Sequence, residues 1–227
     1  MGRLDHARSG QLAFDARVAS LAAAQYGAFS RRQAAELGAT KNAIRHRIDV
    51  GRWEHAAPPH VFRLAGAPTT WRQVLMVACL AWGVGAVISH RTAAALWGLA
   101  GFAPGRVELT VPRRRERKAP GVVHRNALSA PDVTILDGIP VTTPARTLID
   151  VASAATREAM EEAVDDALRR GLVSIPRLRW RLDDLGRGRP GVGTMRKLID
   201  ARDPSTSIPG SVFERKVLRM LRQAGLK

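Results

Sequence analysis

Cysteine is almost absent from this sequence, with Cys79 the only one among 227 residues. Because there is no second thiol, an internal disulfide is impossible, and a reducing compartment fits. Long apolar runs are also missing. The uncharged stretch 74–88 contains two glycines and is shorter than the roughly 20 residues of a membrane-spanning helix. The N-terminus carries acidic residues and has no signal-peptide pattern. We therefore predict a soluble cytoplasmic protein.

Lysine is scarce too, at five of the 36 basic side chains, so arginine carries most of the formal net charge of +16. An excess of this size favours a polyanionic partner. The planar guanidinium binds phosphates and guanine edges in a bidentate manner. An Ala- and Arg-rich chain is also typical of a GC-rich genome. Charge by itself therefore does not establish DNA binding.

The first 68 residues have the pattern of a winged helix-turn-helix. Hydrophobic spacing predicts a helix over 11–25, and capping residues with stop glycines predict two more. These two helices run from Ser30 to Gly38 and from Thr40 to Gly51. Two short strands, around Trp53 and over 61–64, follow with a proline-containing turn between them. The alternative is a small helical subdomain with an ordinary solvated basic face.

The remaining chain predicts a mixed α/β domain over 69–205, with a small antiparallel sheet and several helices. Asp137-Gly138 between apolar runs indicates a tight hairpin. Ser89, Thr156 and Ser174 are each expected to cap a helix of this part. An amphipathic helix is expected over 206–227, either docked on the core or beginning a further, truncated domain. The fold class is therefore α+β, with an N-terminal winged helix-turn-helix followed by the mixed domain.

The helix that begins at Thr40 carries the predicted DNA contacts. In a helix-turn-helix the second helix lies in the major groove. Asn42 there suits adenine and Arg45 suits guanine, while Arg31 and Arg32 begin the preceding helix and suit phosphates. The candidate DNA-binding residues are Arg31, Arg32, Thr40, Lys41, Asn42, Arg45, Arg47, Arg52, His60 and Arg63.

A second basic cluster lies between two predicted strands. It is interpreted as a loop that contacts DNA phosphates, as a merely solvated loop, or as a docking surface for an acidic partner. Its residues are Arg113, Arg114, Arg115, Arg117 and Lys118.

Catalytic, metal and cofactor chemistry is not predicted. Gly186, Gly188 and Gly191 spell a dinucleotide-binding pattern, but a helix precedes them, where that motif needs a strand. The histidines show no metal-ligand spacing. His90 follows Ser89 without a third catalytic partner, so a core or capping role is expected for it.

Three segments resemble AbiEi-type antitoxins and regulators of type IV toxin–antitoxin systems. Residues 27–66 resemble their N-terminal winged helix. The second domain is similar in the segments ISHRTAAALWGL and GIPVTTPARTLIDVA. The similarity covers most of residues 15–203. It implies a promoter-binding autorepressor that counters a nucleotidyltransferase-like toxin, with the basic residues of 31–52 facing double-stranded DNA.

Many such relatives continue into a domain similar to very-short-patch-repair endonucleases. The helix containing Glu214 would begin that domain, and its acidic metal ligands would come later than Lys227. Three hypotheses follow. The chain is a DNA-binding antitoxin, the DNA-targeting half of such an endonuclease, or a basic interaction protein without operator selectivity. We favour the first and expect no enzymatic activity.

Overall fold

The computed structural model describes residues 2–112, 120–186 and 188–202, with side chains from residue 11 onward. The chain divides into two compact units, Met1–Thr147 and Leu148–Lys227. The predicted basic cluster at 113–118 and the predicted helix at 206–227 lie outside the described residues. None of the helices in the described ranges is long and apolar enough to cross a membrane.

The first unit begins with three helices and an antiparallel three-stranded sheet of order β1-β3-β2. The elements are α1 (Gly2–Ala24), β1 (Ala28–Ser30), α2 (Arg31–Glu36), α3 (Lys41–Asp49), β2 (Trp53–Ala57) and β3 (Val61–Leu64). The helices and the hairpin strands were predicted, although α1 begins nine residues earlier than the predicted 11–25. Strand β1 was not predicted, and it pairs with β3 with Phe29 opposite Phe62. The strand is three residues long and directly precedes the cap of α2, so no alternating pattern signals it.

Local hydrogen bonds fix the ends of α2 and α3. The Ser30 hydroxyl accepts from the Gln33 N–H, and the Gln33 side chain accepts from the Ser30 N–H at 2.8 Å, which forms a capping box. Gly38, with φ of 103°, ends α2 in a Schellman-type turn, because the Ala39 N–H donates to the Ala34 carbonyl. The Thr40 hydroxyl then accepts from the Ala43 N–H at 3.1 Å and starts α3.

The rest of the first unit is built on a five-stranded sheet of order β6-β5-β4-β8-β7. The elements are α4 (Trp71–Trp82), β4 (Val87–Ile88), α5 (His90–Leu96), β5 (Glu108–Val111), β6 (Val122–Arg125), a 3-10 turn (Ala130–Asp132), β7 (Val133–Leu136) and β8 (Ile139–Thr142). The boundary between the units falls within the next helix, α6 (Pro144–Val151). The predicted hairpin is β7–β8, whose turn residues Asp137 and Gly138 both have positive φ.

The prediction of an antiparallel sheet in this part was wrong, since the sheet is mixed. Strand β4 pairs antiparallel with β5 and parallel with β8, and β5 pairs parallel with β6. Strand β4 has two residues and lies at the end of the uncharged stretch 74–88.

Helix α4 contributes the centre of the apolar core of the first unit. Leu75 and Ala78 are fully buried and belong to one cluster with Ile88, Leu109 and Val141 of the five-stranded sheet. Burial also raises the pKa of the Cys79 thiol to about 12, so it stays protonated and unreactive. The same cluster includes three residues of the three-stranded sheet, namely Ala28, Ala57 and Val61.

The second unit contains α7 (Arg157–Arg169), α8 (Ile175–Leu185) and α9 (Val192–Asp200). The hydroxyls of Thr156 and Ser174 cap α7 and α8, as predicted. The fully buried side chains include Met160, Leu178 and Met195, one from each helix. These helices therefore pack through their apolar faces.

Candidate nucleic-acid interface

Helix α3 presents one continuous polar face to solvent. Successive residues are rotated by about 100° on a helix, so the exposed positions fall within one side while Ile44 is buried on the other. The exposed residues of this side are Lys41, Asn42, Arg45, His46 and Asp49. His46 was not among the predicted contacts, although its i+4 spacing from Asn42 gave the signal. We call this side the α3 face.

Arg47 does not belong to the α3 face, which corrects its predicted role. It is 3% exposed. Its Nε and Nη2 donate to Asp15 Oδ1 of α1 at 2.9 and 2.7 Å, and Nη1 donates to the Ala43 carbonyl. The guanidinium also lies 4.7 Å from the centroid of the Phe14 ring. The Arg47 side chain therefore points inward, and its ion pair with Asp15 holds α3 against α1.

An aromatic cluster supports the α3 face from below. The Phe29 and Trp53 rings meet edge to face with centroids 4.8 Å apart, and Phe62 lies 6.0 Å from each of them. Ile44 of α3 and Ala34 of α2 belong to the same buried cluster. The two short helices thus rest on a rigid layer that fixes the direction of the α3 face.

The start of α2 lies beside the turn of the β2–β3 hairpin. The Arg31 N–H donates to the His60 carbonyl at 2.7 Å, and the Arg31 guanidinium lies 5.5 Å above the Phe62 ring. Arg32 is exposed and forms a surface ion pair with Glu36 at 3.2 Å. Arg31, Arg32 and His60 are therefore grouped at one place in the fold.

Arg52 and Arg63, the two remaining predicted contacts, differ in their surroundings. Arg52 is 65% exposed and lies 3.6 Å from Asp15 Oδ2. Arg63 is in the middle of β3 opposite Glu54, with which it pairs at 2.7 Å, and it also donates to the Thr69 hydroxyl. Arg63 is therefore engaged within the sheet, which corrects its predicted role as a DNA contact.

A second polar cluster forms where the start of α5 meets β5 and β6. His90, Glu108 and His124 each place one ligand-type atom within 4.8 Å of the other two. Burial, together with nearby His124 and Arg146, lowers the pKa of His90 to about 3. Ser89 is the N-cap residue of α5, as predicted, but its hydroxyl makes no cap bond and instead lies 2.9 Å from His90 Nδ1.

Comparison with known proteins identifies a family and solved structures of similar fold. The model of the AbiEi antitoxin C-terminal domain matches residues 76–201, which is more than half of the chain. A crystal structure of the RV2827C protein from Mycobacterium tuberculosis is similar in fold, with a TM-score of 0.50 and 17% sequence identity. That similarity covers 81% of this chain and 74% of the other. No curated protein matches the chain.

The matched residues run from within α4 to the end of α9, and so include the five-stranded sheet and the helices of the second unit. Of the three segments that carry the resemblance, those around His90 and Pro144 lie within this range, and residues 27–66 lie outside it. The chain belongs to the AbiEi antitoxin C-terminal domain family.

Proposed function

We propose that this protein is a DNA-binding transcriptional regulator, an autorepressing antitoxin of a type IV toxin–antitoxin system. Residues 1–68 would act as its winged helix-turn-helix and bind the operator in its own promoter. The observation that carries the proposal is the α3 face, in which Lys41, Asn42 and Arg45 are exposed on a helix fixed from behind by the Arg47–Asp15 ion pair.

The exposed side chains of this surface fall into two groups, one suited to contacts with bases and the other to contacts with phosphates. Arg45 is 84% exposed, with only a loose contact of 3.7 Å to Asp49, so it is available for a guanine edge. Asn42 beside it suits adenine. Arg31, Arg32, Lys41 and Arg52 suit phosphates, which position a protein without reading sequence. Thr40 and His60 are exposed at the edges of this surface. Arg47 and Arg63 are left out because both are engaged inside the protein.

Membership of the antitoxin family supports a role against a toxin. We propose that this toxin is nucleotidyltransferase-like and that the matched region, residues 76–201, carries the antitoxin activity. Co-expression with a nucleotidyltransferase encoded beside the gene tests this role. Growth should be restored by the full chain, and continued arrest would contradict the antitoxin assignment.

Binding of the DNA upstream of the gene, compared with a scrambled duplex at two salt concentrations, tests the regulator proposal. The native duplex should bind more tightly. Arg45→Ala should lose about 1–3 kcal/mol of binding free energy on the native duplex and little on the scrambled one, because a base contact is removed.

Arg157→Ala is the matched control, since this arginine is 78% exposed on α7 and also has an i,i+4 acidic partner. It should bind like the parent protein. Equal affinity of the parent for native and scrambled DNA would overturn operator recognition and favour a general interaction protein.

A further inference from the structure

His90, Glu108 and His124 come from three separate elements that the sheet register brings together. Thr110 of β5 lies directly beside His124 of β6. Because alternate residues of a strand share a face, Glu108 lies on the same side as both. The Ser89 N–H donates to the Glu108 carbonyl at 3.1 Å and so places His90 next to that strand. His124 Nε2 lies 2.9 Å from Glu108 Oε2.

The two imidazoles are arranged in a way that ring packing does not favour. Their centroids are 3.4 Å apart with an interplanar angle of 13°, which is close to face to face. Aromatic rings prefer offset or edge-on contacts. His90 also has a φ of 51°, which is uncommon for a residue other than glycine. Residues with such strained backbone conformations cluster at functional sites. Some interaction other than stacking should hold these rings together.

Buried hydroxyls orient His90 from behind. Its Nδ1 lies 2.9 Å from Ser89 Oγ, which in turn accepts from the Thr110 hydroxyl at 2.8 Å. Ser89 and Thr110 are 0% and 1% exposed. When Nδ1 donates its proton to Ser89 Oγ, which can accept two hydrogen bonds, Nε2 carries the lone pair. A second ring nitrogen that donates in this way is the usual arrangement behind a metal-bound histidine.

We propose that His90, Glu108 and His124 bind one divalent transition-metal ion of the Zn²⁺ class. Two imidazoles and one carboxylate are a known donor set for zinc, with remaining positions open to water. Nitrogen donors select against Mg²⁺ and Ca²⁺, which prefer oxygen. Ligand atoms on one tetrahedral ion are roughly 3.4 Å apart, so small side-chain rotations bring the three together. All three are partly exposed, which gives the ion a path in.

Titration of the tag-free, chelator-treated full chain with Co²⁺ tests the site. A saturable visible d–d absorption should appear with one Co²⁺ per chain, and Zn²⁺ should displace it. Both His124→Ala and the nearly isosteric Glu108→Gln should weaken binding by about tenfold or more. Circular dichroism without metal establishes that each variant is folded. If His124→Ala does not fold, Glu108→Gln decides alone.

His55→Ala is the control, because His55 is exposed on β2 and outside the cluster. It should bind Co²⁺ like the parent. Absence of a saturable spectrum in the parent would overturn the proposal. So would unchanged binding in folded Glu108→Gln, or equal losses in His55→Ala and the cluster variants. None of these results bears on DNA binding by the α3 face.

Discussion

Two arginines on α3, only two residues apart, have opposite surroundings. The Arg45 side chain is 84% exposed, while that of Arg47 is 4% exposed and paired with Asp15. A buried charge that loses its partner is costly, since its desolvation is no longer compensated. The same residue type is therefore available for binding at one position and stabilises the fold at the other.

Arg47→Ala should lower the free energy of unfolding by about 3 kcal/mol, the lower end for breaking a buried ion pair, because Asp15 is partly exposed. Arg45→Ala should change it by less than about 0.5 kcal/mol, as is usual for exposed positions. Urea unfolding followed by circular dichroism measures both. Equal, small effects of the two variants would contradict the structural role of Arg47.

The inward position of Arg47 was partly readable from the sequence. It lies three residues after Ile44, so helical geometry places both on the same side. The residue type predicts the opposite, because arginine side chains are usually exposed to solvent. Arg47 is buried because it pairs with Asp15 of α1. The two residues are 32 positions apart in sequence, so their spacing does not predict the contact. The cluster of His90, Glu108 and His124 could not be predicted for the same reason, because strand register brings together residues that are far apart in sequence.

At the scale of elements, short side-chain bonds define where α2 and α3 begin. Both helices are too short to be stable by propensity alone. Their direction depends on the caps at Ser30 and Thr40 and on the turn at Gly38 between them. The orientation of the α3 face thus depends on capping and turn residues that are not part of that face.

Thr40→Ala should destabilise the protein by about 1 kcal/mol, because the Ala43 N–H loses its acceptor. Thr40→Ser retains a hydroxyl and should restore most of this loss. Thermal unfolding of the three proteins provides the comparison. An alanine variant as stable as the parent would mean that the cap contributes nothing.

Elements with strong local signals were predicted well, and those defined by long-range pairing were not. Caps and stop glycines located α2, α3, α7 and α8, and Asp137-Gly138 located the β7–β8 hairpin. Strands β1 and β4 are only three and two residues long. They exist because neighbouring strands complete their hydrogen bonds, so no periodicity marks them. The parallel pairing of β5 with β6 is likewise a tertiary property.

At the scale of the whole molecule, the net charge of +16 predicts strongly salt-dependent DNA binding. Each neutralised phosphate contributes a slope of about −0.9 to log K against log salt. Four phosphate contacts, from Arg31, Arg32, Lys41 and Arg52, give a slope of about −3.6. Arg32→Ala should reduce its magnitude by about 0.9 and weaken native and scrambled duplexes alike.

Fluorescence anisotropy over a salt series measures these slopes. Arg157→Ala should keep the parent slope, because it lies outside the proposed DNA-binding segment, residues 1–68. A parent slope near zero would show that phosphate contacts do not drive binding, whatever the net charge.

The three-stranded sheet has apolar neighbours on both sides. Phe29, Trp53 and Phe62 belong to the cluster under α3, whereas Ala28, Ala57 and Val61 belong to the cluster of α4 and the five-stranded sheet. A protein fragment ending at residue 68 would lack α4, and the side chains of Ala28, Ala57 and Val61 would be exposed to water. A fragment made to isolate the proposed DNA-binding segment should therefore retain α4 and the five-stranded sheet, and should end no earlier than the last residue of α6, Val151.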